Sequence, residues 1–386
     1  MKIRKLFISI VLFLLLFPYN IAAKSTDIPK VFSESAILID AKSGQTIYGK
    51  NENKRMNPAS ITKIATAIYA IENGDLSDDV VISETATNVE GTTVFLEPGE
   101  VVTLKKLIIG MIVNSGNDAA LAIAEHIDGS LANFEKHFNA YLQDYIGVNN
   151  THFENPHGLY GENHYSTAHD MAKITKYAME NETFRSIINI QEYKWDGASW
   201  DTTLVNHHRL ILGEFPYDAQ ITGGKNGFIN ESGYTLVTTA TKDDLNLIAV
   251  TMKTDDKDVP YTDTLNLFDF GFQNFQTKKI PKGTEFTVQD KKFIAKKDLL
   301  YTVNIHERYT NEVDTSGLLT IYNQQLNEPI VSFQLKSTNE PMQKENRADI
   351  QMNWKSDGIV VSLEVAFVCV VVFVVVIVIQ RLKNRV

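Results

Sequence analysis

Ser60 and Lys63 stand three residues apart in Asn57-Pro58-Ala59-Ser60-Ile61-Thr62-Lys63, ahead of the segment IATAIYAIENG. Ile61, Ile64, Ala65 and Ile68 repeat at helical spacing, Asn57 is a good N-cap, Pro58 suits the first helical position, and Gly74 closes the helix. A hydroxyl and an amine three apart leave one helix face, and N-H groups of a first turn have no helical partner. Serine alone is a weak nucleophile and needs a base within reach. A partly desolvated lysine at the positive end of a helix dipole has its pKa lowered toward that task. The same spacing by itself marks only a capped helix with a solvated lysine. Two further elements bear on it. Ser115-Gly116-Asn117 falls in a turn between the apolar runs LKKLIIGMIV (104–113) and AALAIAEHI (119–127), where a hydroxyl and an amide can face a cleft. Lys225-Asn226-Gly227, inside GGKNGF, opens a strand in which Gly227 would let a substrate approach the backbone closely.

S-x-x-K, then S-x-N, then a Lys-x-Gly triplet in this order resemble the signature shared by penicillin-binding proteins and serine β-lactamases. The flanking text NPASITKIATA, VEGTTVFLEPGE, VNSGNDAALAIAEHI, NPHGLYGENHYSTAHDMA and ESGYTLVTTAT is similar to the low-molecular-weight D-alanyl-D-alanine carboxypeptidases, over roughly 31–275. The resemblance implies a serine peptidase that cuts the D-Ala-D-Ala end of peptidoglycan stem peptides and is acylated by β-lactams. It implies Ser60 as nucleophile, Lys63 as base and Ser115 as proton donor to the leaving D-alanine. Asn117 would hold the substrate amide, Lys225 would sit near the terminal carboxylate, and the N-H groups of Ser60 and Phe228 would form the oxyanion hole. The family's threonine is Asn226 here, a bulkier donor at the carboxylate. Two other functions stay open: a β-lactamase, although no glutamate loop follows Asn117, and a cell-wall binding protein with weak turnover.

Positioning these motifs requires several elements. Ser33–Ser43 and Gln45–Lys50 read as a hairpin, 167–179 as a helix, and YTLVTTAT (234–241) and NLIAVTM (246–252) as adjacent antiparallel strands. Strands first, helices in the middle and strands last predict an antiparallel sheet with helices packed on it, and the resemblance implies that this is the α+β transpeptidase-like domain of that family, over 24–274. A small all-β domain is expected at 275–337 and a polar linker at 338–358. Residues 1–23 have the layout of a secretory signal, with an uncleaved anchor as the competing reading. The apolar run 359–379 is long enough at about 1.5 Å per residue to cross roughly 30 Å of bilayer. The basic tail 380–386 then stays inside and the catalytic domain outside. The family's usual close is an amphipathic helix lying on the membrane, so this anchor departs from it.

The single cysteine, Cys369, lies in that apolar run, which excludes a thiolate nucleophile, a disulfide framework and a Cys-ligated zinc outside it. Net charge of −10 argues against nucleic acid. His152, His157, His164, His169, His207 and His208 form no metal-ligand spacing, Pro156-His157-Gly158 reads as a turn, and neither a metal nor another cofactor is expected. His207 reads as part of a surface loop.

Overall fold

All six residues of β1 (Ser35–Asp40) are buried, although a strand with one wet face should alternate. The reason is its place in a five-stranded antiparallel sheet with helices on both faces. The computed structural model describes residues 28–338. The expected signal at 1–23, the linker beyond Thr338, the run 359–379 and the tail 380–386 lie outside the described residues.

β2 (Thr46–Lys50) pairs with β1 as expected. The chain then makes a 3-10 turn, Ala59–Ile61, and enters α1 (Thr62–Asn73). A short hairpin of β3 (Asp79–Val81) and β4 (Val101–Thr103) brackets α2 (Glu84–Thr87). The apolar pair α3 (Leu104–Val113) and α4 (Asn117–Asp128) follows, joined at the Ser115 turn. α5 (Leu131–Tyr141) runs into a π-helical segment, Leu142–Ile146. α6 (Ala168–Glu180) starts where the Thr167 hydroxyl accepts from the Asp170 N-H. α7 (Glu182–Ile188) leads to the hairpin of β5 (Glu192–Asp196) and β6 (Asp201–Val205).

β7 (Gln220–Ile229), β8 (Gly233–Lys242) and β9 (Leu245–Met252) complete the sheet, whose order is β2-β1-β9-β8-β7. β7 is therefore an edge strand. α8 (Val259–Asn274) covers one face. Alternate residues of β1 divide between two cores: Ile37 and Ile39 join Ile64, Ile68 and Ile108, while Ala36 and Leu38 join Leu247, Leu267 and Phe268. Gly271 lets α8 lie close, because a Cβ there would stand 2.6 Å from a Leu247 methyl. Neither α5 nor α8 is among the expected elements: α5 has a Ser130 cap and buried Phe134, Phe138 and Tyr141 at helical spacing, while the aromatic-rich 259–274 is helical through burial against its neighbours.

Among the described residues from Phe275 onward the regular elements are all strands: β10 (Phe275–Ile280), β11 (Glu285–Val288), β12 (Lys291–Ile294), β13 (Leu299–Asn304), β14 (Tyr309–Val313), β15 (Leu318–Asn323), β16 (Glu328–Gln334) and β17 (Lys336–Ser337). They enclose their own apolar cluster around Phe293, Leu319 and Ile321. Asp40 at the end of β1 accepts from the Thr277 and Thr302 hydroxyls at 2.6 and 2.7 Å, and Gln45 Oε1 accepts from the Thr302 N-H at 2.6 Å. The β-rich region is thus hydrogen-bonded to the central sheet.

Candidate active site

Ser60 lies in the 3-10 turn before α1, not in the first turn of the helix itself. Asn57, expected as the N-cap, precedes the Pro58 cap of that turn, and its Oδ1 accepts from the Ala59 N-H at 2.9 Å. Ala59 has φ of +51°, a left-handed backbone that a non-glycine residue adopts only when its surroundings hold it there. Those surroundings are tight. A Cβ on Gly158 would come within 2.0 Å of Ala59 O, and one on Gly227 within 2.7 Å of Ser60 N. Gly227 is thus needed for the Ser60 turn to lie against β7, a reason different from the expected approach of substrate.

Lys63 is fully buried and its Nζ has three neighbours: Ser60 Oγ at 3.0 Å, Asn117 Oδ1 at 2.7 Å and the His157 carbonyl at 2.7 Å. Burial first, and then the charge of Lys225, push its pKa well below the ordinary lysine value, with Asp118 opposing. The neutral amine has two N-H groups and one lone pair. Asn117 Oδ1 and the His157 carbonyl are pure acceptors and take both N-H groups, which turns the lone pair toward the Ser60 hydroxyl. The His157 carbonyl is held in place because Thr66 Oγ1 donates to Pro156 O at 2.7 Å and Thr62 Oγ1 pairs with His164 Nε2 at 3.0 Å. Pro156-His157-Gly158, expected as a turn, thus also supplies a backbone acceptor to Lys63, which leaves no side-chain signal in a sequence.

Asn117 begins α4, and its Nδ2 donates to Glu90 O at 2.7 Å while its own N-H donates to Thr92 O. Ser115, buried with φ of +60°, precedes the Gly116 cap. The next residue, Asp118, accepts from the N-H groups of Val94 and Leu96 at 3.0 to 3.1 Å and so clamps the 90–96 loop onto this turn. Burial raises the Asp118 pKa against those hydrogen bonds.

Lys225 is buried in β7 and donates to the Asn226 carbonyl at 2.9 Å. Burial lowers its pKa to about 7. Among the described residues no carboxylate hydrogen-bonds Lys225, Lys63 or Ser60. An ammonium buried with only the Asn226 carbonyl and, at 3.5 Å, Asn226 Oδ1 as neutral acceptors is costly, and an anion entering beside it would offset that cost. Gly224 and Gly223 leave room for His208 Nε2 and for Ile188, each of which a Cβ would meet at 2.5 to 2.6 Å. Phe228 is opposite Tyr234, whose N-H donates to Thr254 O and whose carbonyl accepts from Lys253, so both Tyr234 groups face the β9 side. Antiparallel ladders alternate. The Phe228 N-H and carbonyl therefore point off the free edge of the sheet. Beside them lies a cavity of about 150 Å³ lined by His207, Asn226, Gly227, Tyr234, Lys257 and Tyr261. His207 is exposed, as expected, yet it borders this cavity.

The other histidines have structural partners: His164 Nδ1 accepts from the Glu154 N-H, and His152 Nδ1 bonds Asn163 O. Among the described residues no three His, Cys, Asp or Glu side chains converge as metal ligands.

The family model described as D-alanyl-D-alanine carboxypeptidase, Peptidase_S11, matches residues 22–256. The chain is 35% identical over 259 residues to the D-alanyl-D-alanine carboxypeptidase DacF of Bacillus subtilis, covering 66% of this chain and 65% of that protein. It is 32% identical to DacA of Haemophilus influenzae, covering 68% and 67%. Its fold is similar to the crystal structure of penicillin binding protein 5 from Haemophilus influenzae, with a TM-score of 0.72 and 27% identity over 81% of this chain and 98% of that one. The chain thus spans about two thirds of the length of the first two relatives.

Proposed function

The chain belongs to the D-alanyl-D-alanine carboxypeptidase family of serine peptidases, and on that premise we propose that its cleft removes the terminal D-alanine from peptidoglycan stem peptides. The observation that carries this reading is the fully buried Lys63 amine, 3.0 Å from Ser60 Oγ with both of its N-H groups accepted elsewhere. Ser60 Oγ attacks the carbonyl carbon between the two D-alanines while Lys63 Nζ takes its proton. The oxyanion is held by the N-H groups of Ser60 and Phe228, each such donor being worth about 10²-fold in rate. The C-N bond then breaks, and the leaving D-alanine nitrogen takes the proton through Ser115. Water attacks the acyl-enzyme, restoring the Ser60 hydroxyl and freeing the shortened peptide. Asn117 holds both Lys63 and the substrate amide, using the second hydrogen of its Nδ2.

The terminal carboxylate enters beside Lys225, Asn226 and Gly227. The absence of a carboxylate partner for Lys225 among the described residues and the Asn226 cavity support that placement. β-Lactams acylate Ser60 in the same way. The catalytic domain would occupy 24–274 after removal of the signal at 1–23, with a β-rich domain at 275–337. The chain would be tethered by 359–379, with the catalytic domain on the extracytoplasmic side and the tail 380–386 inside. No metal or other cofactor takes part in this scheme.

The test is a paired assay of labelling by fluorescent penicillin and D-alanine release from a pentapeptide mimic. Labelling lost in Ser60→Ala together with release by the unaltered protein is the expected result. Labelling that survives Ser60→Ala overturns the assignment. Asn226 favours one second reading, a penicillin-binding wall protein with weak turnover; labelling without release would establish it. Rapid penicillin hydrolysis would instead indicate a β-lactamase.

A further inference from the structure

The chain carries a net charge of −10, yet residues 275–300 hold seven lysines against Glu285, Asp290 and Asp298. Folding gathers them. The Lys282 N-H donates to Asp298 Oδ1 at 2.8 Å, Gly283 N-H to Ala295 O at 2.8 Å and Ala295 N-H to Thr284 O at 3.0 Å. These bonds draw the turn after β10 onto the turn after β12, which brings Lys279 and Lys282 to Asp298, next in the chain to Lys296 and Lys297. Lys279 pairs with Asp298 at 3.4 Å, and Lys282, Lys296 and Lys297 are exposed with no ion-pair partner among the described residues. Lys291 and Lys292 lie on the same hairpin, opposite Val288 and Thr287, and Lys292 is exposed and unpaired in the same sense.

The described chain also ends on this hairpin. β17, Lys336–Ser337, pairs with β12, and the Thr338 N-H donates to Lys292 O at 3.0 Å. The described residues therefore end beside the lysines, ahead of the apolar run 359–379 in the sequence. We propose that the lysine-bearing β11-β12 hairpin docks on the anionic lipid headgroups of the membrane to which the chain is tethered, an inference that rests on reading 359–379 as the tether. Charge complementarity and the place where the described residues end together name this occupant. Each lysine near a negatively charged leaflet adds attraction that fades within a Debye length.

The full chain is placed in lipid nanodiscs of phosphatidylcholine, or of phosphatidylcholine rich in phosphatidylglycerol, and its lysines are acylated and mapped by mass spectrometry. Expected on the anionic discs is a fall of about threefold or more in labelling of Lys282, Lys292, Lys296 and Lys297, with Lys42 and Lys54 unchanged. The difference disappears at about 1 M salt. In the variant Lys282→Glu, Lys296→Glu, Lys297→Glu the protection of Lys292 is lost, while D-alanine release from a soluble pentapeptide is unchanged. Equal labelling on both discs, with the protein retained in them, overturns the docking alone. A chain that washes out of the uncharged discs at high salt overturns the tether reading and the docking with it.

Discussion

Lys63 and Lys225 are both desolvated lysines in one cleft, and their proposed roles require opposite protonation states. Lys63 must be neutral to take the Ser60 proton, and its pKa is held well below the lysine value by burial and by Lys225. Lys225 must be charged to meet a carboxylate, and burial lowers it to about 7. The specificity constant is therefore expected to rise with pH as Lys63 deprotonates and to fall as pH passes through about 7. Acylation by a penicillin whose carboxylate is esterified should keep the rising limb and lose the falling one; a falling limb that persists would detach it from Lys225. Asn117→Ala removes one of the two acceptors that orient the amine, and acylation should slow by about 10²-fold, with a stability loss of about 1–3 kcal/mol because the buried amine and Glu90 O each lose a partner. Asn226→Thr is expected to raise the specificity constant for a free D-Ala terminus several-fold. A loss would make the asparagine a working ligand.

At the scale of elements, the site is a junction between a strained 3-10 turn, the head of α4 and the free edge of β7. Gly227 is where the turn and the strand meet. Gly227→Ala puts a methyl 2.7 Å from Ser60 N and from Thr235 Oγ1. Overpacking of that kind costs about 1–3 kcal/mol. The acylation rate should fall further than stability does, because the displaced atoms include the Ser60 backbone. Urea unfolding run beside penicillin labelling separates the two effects, and an unchanged acylation rate would show that β7 yields without moving Ser60.

In the whole molecule, the β-rich region is joined to the central sheet by a small polar contact. Asp40 is fully buried and accepts from two threonine hydroxyls, and Ser43 meets Thr302 Oγ1 at 2.6 Å. Thr302→Val leaves those oxygens one donor short at nearly constant volume, a loss of about 1–3 kcal/mol. It should appear in chemical denaturation, while Ser60 labelling stays within about twofold. A large loss of labelling would mean that the contact also supports the site.

The motif order, the helix registers of α1, α3, α4 and α6, the β8-β9 pair and the strand-only stretch after 275 could be written from the chain alone, because each depends on local spacing and capping. Ser60, Lys63 and Asn117 were legible for the same reason, and the structure brings them into one hydrogen-bonded group. Other features were out of reach. α8 exists through burial against neighbours distant in the chain, which no local preference announces, whereas α5 carries a Ser130 cap and an apolar stripe at helical spacing. The orientation of the Lys63 amine depends on the His157 carbonyl, 94 residues away in the chain. The need for Gly158 and Gly227 comes from backbones that meet only after folding. Such approaches are set by which surfaces pack together, and packing is a property of the folded chain rather than of any segment of it.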